Sequence, residues 1–170
     1  MASDLEKREH IRRLLIRAAQ QKTIPIVNYY DPVSDEENRK MELAIRRSHG
    51  DQVVECVDND ETAAVIANLV HAKKLVLMTS TEGIYRDPTD PKTLVEQVTA
   101  KSMEELEEKV RQLQESCVGA SRAGANGAKA KLEYALKSAR QGTMVIIGHA
   151  RHRLSDLVEG RVACTRIGLE

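Results

Sequence analysis

Short apolar runs that alternate with helix-like segments are the feature that most limits how this chain can fold. The run at 75–79, L-V-L-M-T, is long enough for a strand and too short for a helix, and its continuous apolar character predicts burial on both faces. Strands that alternate with helices imply an α/β fold with a mostly parallel sheet flanked by helices. The sequence predicts strands at 23–28, 52–57, 75–79, 143–147 and 162–167, with a further candidate at 95–99. It predicts helices at 5–20, 36–48, 61–71, 102–114, 129–140 and 154–158.

Length and composition exclude several classes of protein. The 170 residues suit one domain, and the 26 basic and 26 acidic residues cancel, so no net charge attracts nucleic acid or an acidic membrane surface. Phe and Trp are absent, which argues against stacking on bases, and no apolar run is long enough to cross a membrane. The odd number of cysteines, three, is typical of reduced thiols. We therefore expect one domain over 1–170, in the cytoplasm, without nucleic-acid or membrane partners.

Polar residues gather where the predicted strands end. Asn28 follows the first strand, residues 58–60 follow the second, and residues 79–82 close the third. In open α/β sheets the ligand crevice lies at the carboxyl ends of the strands. These three groups are therefore the first candidates for a binding site.

A glycine-rich helix start is the second signal. Gly124 and Gly127 precede an apolar-periodic stretch, and Lys131 follows about one turn into it. Glycines allow close backbone approach, a helix N-terminus favours anions, and a lysine nearby can reach a phosphate. The spacing does not match the G-x-x-x-x-G-K-[ST] nucleotide loop. An ordinary helix start with exposed lysines is the alternative interpretation of this segment.

The order of these motifs resembles the amino acid kinase family. The resemblance is carried by I-P-I-V-N at 24–28, D-P-V-S at 31–34, D-N-D-E-T-A-A at 58–64 and L-V-L-M-T-S-T-E-G-I-Y-R-D-P at 75–88. The family motif G-T-G-G-M-x-T-K-L aligns without a gap on 124–132, and its closing G-T resembles Cys164-Thr165. The resemblance covers nearly the whole chain. It implies the family's α/β fold and an ATP-dependent kinase with a carboxylate, glutamate-like acceptor.

The resemblance also implies a role for individual residues. It places Lys131 on the lysine that stabilises the transferred phosphoryl group, with Asp60 beside the substrate contacts, and these are the catalytic candidates. The implied substrate-binding residues are Asn28, Asp31 and Asn59. The implied nucleotide-binding residues are Thr79, Ser80, Ala125, Asn126, Gly127, Ala128, Lys129, Ala130 and Lys131. ATP and Mg²⁺ are the implied cofactors.

Departures from the family pattern leave a second hypothesis open. Ser80 stands where the family has an aspartate, Tyr29 and Tyr30 replace Glu-Asn, and no V-x-K-x-G-[ST] phosphate loop occurs. These features favour either a truncated kinase, weakly active or inactive alone, or a non-catalytic nucleotide-binding or regulatory module of the same origin. A sheet without its leading strands exposes an edge, so we expect a homo-oligomer or association with a separate N-terminal half.

Two other patterns have simpler interpretations. His149 and His152 have a spacing that metal sites use, but no cysteine or carboxylate pattern accompanies them, and we predict no metal site. Asp60 could also serve as a helix cap, which would be its ordinary interpretation without the family context.

Overall fold

A four-stranded sheet forms the centre of the protein. The computed structural model describes residues 4–27, 59–87, 89–116 and 127–170. The strands are β1 (Lys74–Thr79), β2 (Gln97–Ala100), β3 (Met144–His149) and β4 (Thr165–Leu169), in the order β1-β3-β4-β2. The pairs β1–β3 and β2–β4 are parallel, and β3–β4 is antiparallel. The predicted α/β fold with a mostly parallel sheet is confirmed, with one antiparallel pair at its centre.

The described part of the chain contains five helices, and four of them, α2 to α5, pack against the strands. They are α1 (Asp4–Gln20), α2 (Asn59–Leu69), α3 (Met103–Ser116), α4 (Gly127–Ala139) and α5 (Leu154–Glu159). Ser102 caps α3 as its sequence predicts, because its hydroxyl accepts the N–H of Glu105 at 3.2 Å. A short 3₁₀ turn, Pro91–Thr93, begins after Asp90, whose carboxylate accepts the N–H of Lys92 at 2.9 Å. None of the described helices is long and apolar enough to cross a membrane.

The core has two sides because successive residues of a strand point to opposite faces. Val145 and Ile147 of β3 lie on one face with Leu132 of α4, and all three are fully buried. Ile146 points to the other face, where it packs with Leu157 of α5. Helices therefore cover β3 on both faces.

Two strand predictions need correction. Residues 23–27 follow α1 as irregular backbone, with Ile24 and Ile26 at 90% and 97% exposure, because no described strand hydrogen-bonds to them and β-propensity depends on such neighbours. In β1, Leu77 is buried but Met78 is 46% exposed, since β1 is an edge strand of the described sheet. The prediction that this strand is buried on both faces is wrong.

Other boundaries differ by a few residues. β4 begins at Thr165 and not at 162, because residues 161–164 form the loop that leaves α5. The helix that was predicted at 129–140 begins two residues earlier, at Gly127. The predicted strand at 52–57 and helix at 36–48 lie outside the described residues, as does Asn28.

Candidate functional site

The parallel pair β1–β3 places two strand ends side by side. Thr79, the last residue of β1, is opposite His149, the last residue of β3. The backbone N–H of Ala150 donates to the carbonyl of Thr79 at 2.8 Å, so the loops that follow both strands leave from the same point. β4 is antiparallel to β3, so the carboxyl ends of β2 and β4 lie at the opposite end of the strands. The predicted nucleotide residues Thr79 and Ser80 therefore lie where the carboxyl ends of β1 and β3 meet.

The loop at 80–83 is held against β4 by a buried threonine. A Cβ on Gly83 would lie 2.3 Å from Oγ1 of Thr165 and 2.9 Å from its backbone N, so only glycine allows this approach. The hydroxyl of Thr165 accepts the N–H of Ile84 at 2.8 Å and donates to the carbonyl of Val95 at 2.6 Å. Thr165 was noted in the sequence only as part of a family motif. The structure gives it a physical role, which is to fix the exit of this loop.

A charged cluster joins the same loop to the end of β3. The carboxylate of Glu82 forms an ion pair with Arg151, and its Oε2 lies 2.6 Å from Nε2 of His152. Partial burial acts to raise the pKa of Glu82. The hydrogen bond with His152 and the positive charge of Arg151 outweigh this effect, so that the pKa of Glu82 is lowered from its usual value of 4.5. The carboxylate is therefore stabilised in its charged form.

Lys131 and Asp60 form an ion pair between two helices. Lys131 is the fifth residue of α4, Asp60 is the second residue of α2, and the Nζ of the lysine contacts Oδ2 of the aspartate. Their side chains are 24% and 28% exposed, so the pair is partly shielded but still open to solvent. The structure brings together the two residues that the sequence assigned to catalysis, although they are 71 positions apart.

Lys129 has a different environment from Lys131. It is exposed, and its backbone carbonyl accepts a hydrogen bond from the side-chain amide of Gln114 at 3.0 Å. Gly127 begins α4 with a φ of +41°, a conformation that favours glycine over residues with a Cβ. The start of α4 therefore separates a shielded, paired lysine from an exposed one.

The remaining candidates are only partly placed. Asn59 begins α2 directly before Asp60, and Ala128 and Ala130 lie in the first turn of α4. Asn28, Asp31, Ala125 and Asn126 lie outside the described residues. The assignment of individual substrate and nucleotide contacts therefore stays a prediction.

The two histidines after β3 are engaged with protein groups. Nδ1 of His149 accepts the backbone N–H of Arg151 at 3.0 Å, and His152 contacts Glu82. The ring centroids are 6.3 Å apart. No group of three or more His, Cys, Asp or Glu side chains among the described residues could hold a metal ion. The cluster of Glu82, Arg151 and His152 was missed because its two halves are 70 residues apart; its one sequence signal is that both halves directly follow predicted strands.

The fold and the site together define an α/β protein whose polar residues converge at adjacent strand ends and at the starts of two helices. The sequence profile of the amino acid kinase family matches residues 2–149. The chain belongs to this family, and the resemblance noted in its motifs is confirmed.

Comparison with individual proteins gives the same result. The chain is 31% identical to glutamate 5-kinase of Geobacillus kaustophilus over 173 residues, which cover 98% of the chain and 41% of that relative. It is 46% identical to acetylglutamate kinase of Methanopyrus kandleri over 59 residues, 35% of the chain and 24% of the relative. Carbamate kinase from Giardia lamblia, solved with AMP-PNP bound, superimposes with a TM-score of 0.51 at 18% identity, over 69% of this chain and 34% of that one. The chain spans about two fifths of the length of the glutamate 5-kinases it matches.

Proposed function

We propose that this chain is the nucleotide-binding portion of an ATP-dependent kinase that phosphorylates a small carboxylate, glutamate or a close analogue. Two observations support the proposal: glutamate 5-kinases align with almost the whole chain, and their motif order is kept. The single structural observation that carries it is the contact of Lys131 with Asp60 at the start of two helices. Such a site offers a cation and helix N-termini to a phosphate group.

The pair suggests how Lys131 would act on the transferring group. A lysine ammonium has three donors, so Lys131 can keep its contact with Asp60 and still donate to a phosphate oxygen. Phosphoryl transfer is catalysed mainly by positioning and by cations directed at the phosphoryl oxygens. In this scheme Asp60 holds the ammonium in place, and Lys131 stabilises the negative charge of the transferring group.

The other predicted residues complete the proposed site. Thr79 and Ser80 would contact the nucleotide at the end of β1, while Asn28, Asp31 and Asn59 would bind the acceptor. Mg²⁺ is bound in proteins through few carboxylates and mostly through substrate phosphates. We therefore propose that it would be held chiefly by the phosphates of ATP, a role consistent with the absence of a three-ligand cluster among the described residues. The three cysteines of the chain suit the reducing cytoplasm, where we place this enzyme.

Calorimetric titration with ATP and Mg²⁺ tests the proposal, with Lys131→Ala and Lys129→Ala as a matched pair. Each variant removes one lysine from the first turns of the same helix. Lys131→Ala should weaken ATP binding by about 1–3 kcal/mol, which is about 5- to 150-fold, because it removes a charge-assisted hydrogen bond and leaves Asp60 facing the phosphates. Lys129→Ala should change it far less. Equal losses in both variants, or no binding by the unaltered chain, would contradict the proposal.

A non-catalytic nucleotide-binding module is the second candidate function. Ser80 favours it, because the family has an aspartate at this position. A coupled assay of ADP release with glutamate separates the two functions. Glutamate-dependent turnover that Lys131→Ala abolishes would support the kinase. Binding of ATP by the unaltered chain without any glutamate-dependent turnover would support the non-catalytic module.

A further inference from the structure

Glu82 connects two loops that leave neighbouring strands. It lies in the loop at 80–83 after β1, and both of its partners, Arg151 and His152, lie in the loop after β3. The side chains of Glu82 and His152 are 18% and 20% exposed, whereas that of Arg151 is 64% exposed. The contact with His152 is therefore partly shielded from solvent, which strengthens a charge-assisted hydrogen bond relative to an exposed one.

The partner loop is itself held in shape by its own hydrogen bonds. His149 accepts the N–H of Arg151 on its Nδ1 at 3.0 Å, and its carbonyl accepts the N–H of His152 at 3.1 Å. These bonds orient both partners of Glu82 before any ligand arrives. The charged group that acts on Glu82 is Arg151, and the titratable groups that act on it are His152 and His149.

The loop at 80–83 is fixed at each end by other contacts. At its beginning, Thr79 is joined to β3 through the N–H of Ala150, and at its end Gly83 packs against Thr165. Glu82 adds a tie to the end of β3.

We propose that Glu82 is a positioning residue which, by binding Arg151 and His152, holds the loop at 80–83 ready to receive the nucleotide. This role rests on the proposed function, since it concerns the nucleotide side of that site. A loop that is ordered before binding loses less conformational entropy when the ligand arrives, so the tie raises affinity without touching the ligand.

Glu82→Gln tests the role, because it removes the charge and keeps the size of the side chain. Glu96→Gln is the matched control: Glu96 is exposed and begins the segment that leads into β2. We expect Glu82→Gln to weaken binding of ATP with Mg²⁺ about tenfold by calorimetry, and to speed hydrogen exchange at residues 80–83 in the nucleotide-free chain. Glu96→Gln should change neither measurement.

Variants of Arg151 provide a readout that a general loss of structure would not give. Arg151→Gln should weaken nucleotide binding, whereas Arg151→Lys, which keeps the charge, should bind nucleotide almost as tightly as the unaltered chain. If Arg151 instead contacted the phosphate directly, Glu82→Gln would release it from its partner and leave affinity unchanged or higher. That result, with normal binding by the unaltered chain, would overturn the positioning role and leave the proposed function standing.

Failure of the proposed function would look different. If the unaltered chain bound no nucleotide, both the function and the positioning role would be overturned. The exchange measurement, which needs no ligand, would then show whether the tie alone orders the loop.

Discussion

Replacing Thr165 by valine should destabilise the protein more than its small change in shape suggests. Thr165 is fully buried at the start of β4, and valine has nearly the same volume. The hydroxyl serves two backbone groups at once, the N–H of Ile84 at 2.8 Å and the carbonyl of Val95 at 2.6 Å. Valine offers neither an acceptor nor a donor, so both groups would lose this partner.

The expected cost follows from the burial of those groups. A buried polar group that loses its partner costs about 1–3 kcal/mol. Ile84 is 3% exposed, so leaving its N–H without a partner should cost an amount near the middle of that range. Val95 is half-buried, so the loss of the partner of its carbonyl should cost an amount near the lower end. Together we expect a loss of about 2–4 kcal/mol in the free energy of unfolding, or about 2–4 °C of melting temperature for each kcal/mol.

Urea denaturation of three proteins, the unaltered chain, Thr165→Val and Thr165→Ser, measures this loss. Serine keeps the hydroxyl and removes one buried methyl group, which costs about 1 kcal/mol. Thr165→Val should therefore be the less stable variant by about 1–3 kcal/mol. If Thr165→Val were instead as stable as the unaltered chain, and therefore more stable than Thr165→Ser, the hydroxyl would contribute nothing and the assigned hydrogen bonds would be wrong.

Two further predictions concern the same loop. Gly83→Ala should destabilise the fold and weaken ATP binding, because the new methyl group would lie 2.9 Å from the backbone N of Thr165; thermal melting and calorimetry measure the two effects, and a neutral result would contradict the close packing. Because the pKa of Glu82 is lowered from 4.5 in the folded state, its contribution to stability is complete above its unfolded pKa and is lost as the pH falls through the folded one. The stability difference between the unaltered chain and Glu82→Gln should therefore shrink on acidification below about pH 4.5, and a difference that stays constant to lower pH would refute this assignment.

The order of strands and helices could be predicted from the sequence because it depends on local patterns. The apolar run at 143–147 became β3, and the 3–4 spacing of apolar residues around Leu132 became α4. Ser102 and Glu105 predicted the start of α3, since a cap is a contact between near neighbours in the chain. The same local patterns, through the order of the family motifs, also identified the family.

Local sequence patterns could not predict strand formation or burial where these depend on an adjacent strand or a covering layer. The β-branched residues at 23–27 form no strand among the described residues, because a strand needs a partner for its hydrogen bonds. Leu75 and Val76 are only half-buried in β1 for a related reason, since β1 ends the described sheet. Burial is a property of the assembled layers, and sequence periodicity shows which face a residue occupies without showing whether that face is covered.

The sequence by itself determined which chemical groups the site contains: Lys131 after a glycine-rich helix start, Asp60 before a small-residue helix, and Thr79 at the end of a strand. Only the tertiary structure decided which of them meet. Lys131 contacts Asp60, and Glu82 contacts Arg151 and His152, and in each case about 70 residues of chain separate the partners. The physical reason is that an ion pair depends on distance in space, and that distance is set by the packing of α2 on α4 and by the parallel pairing of β1 with β3.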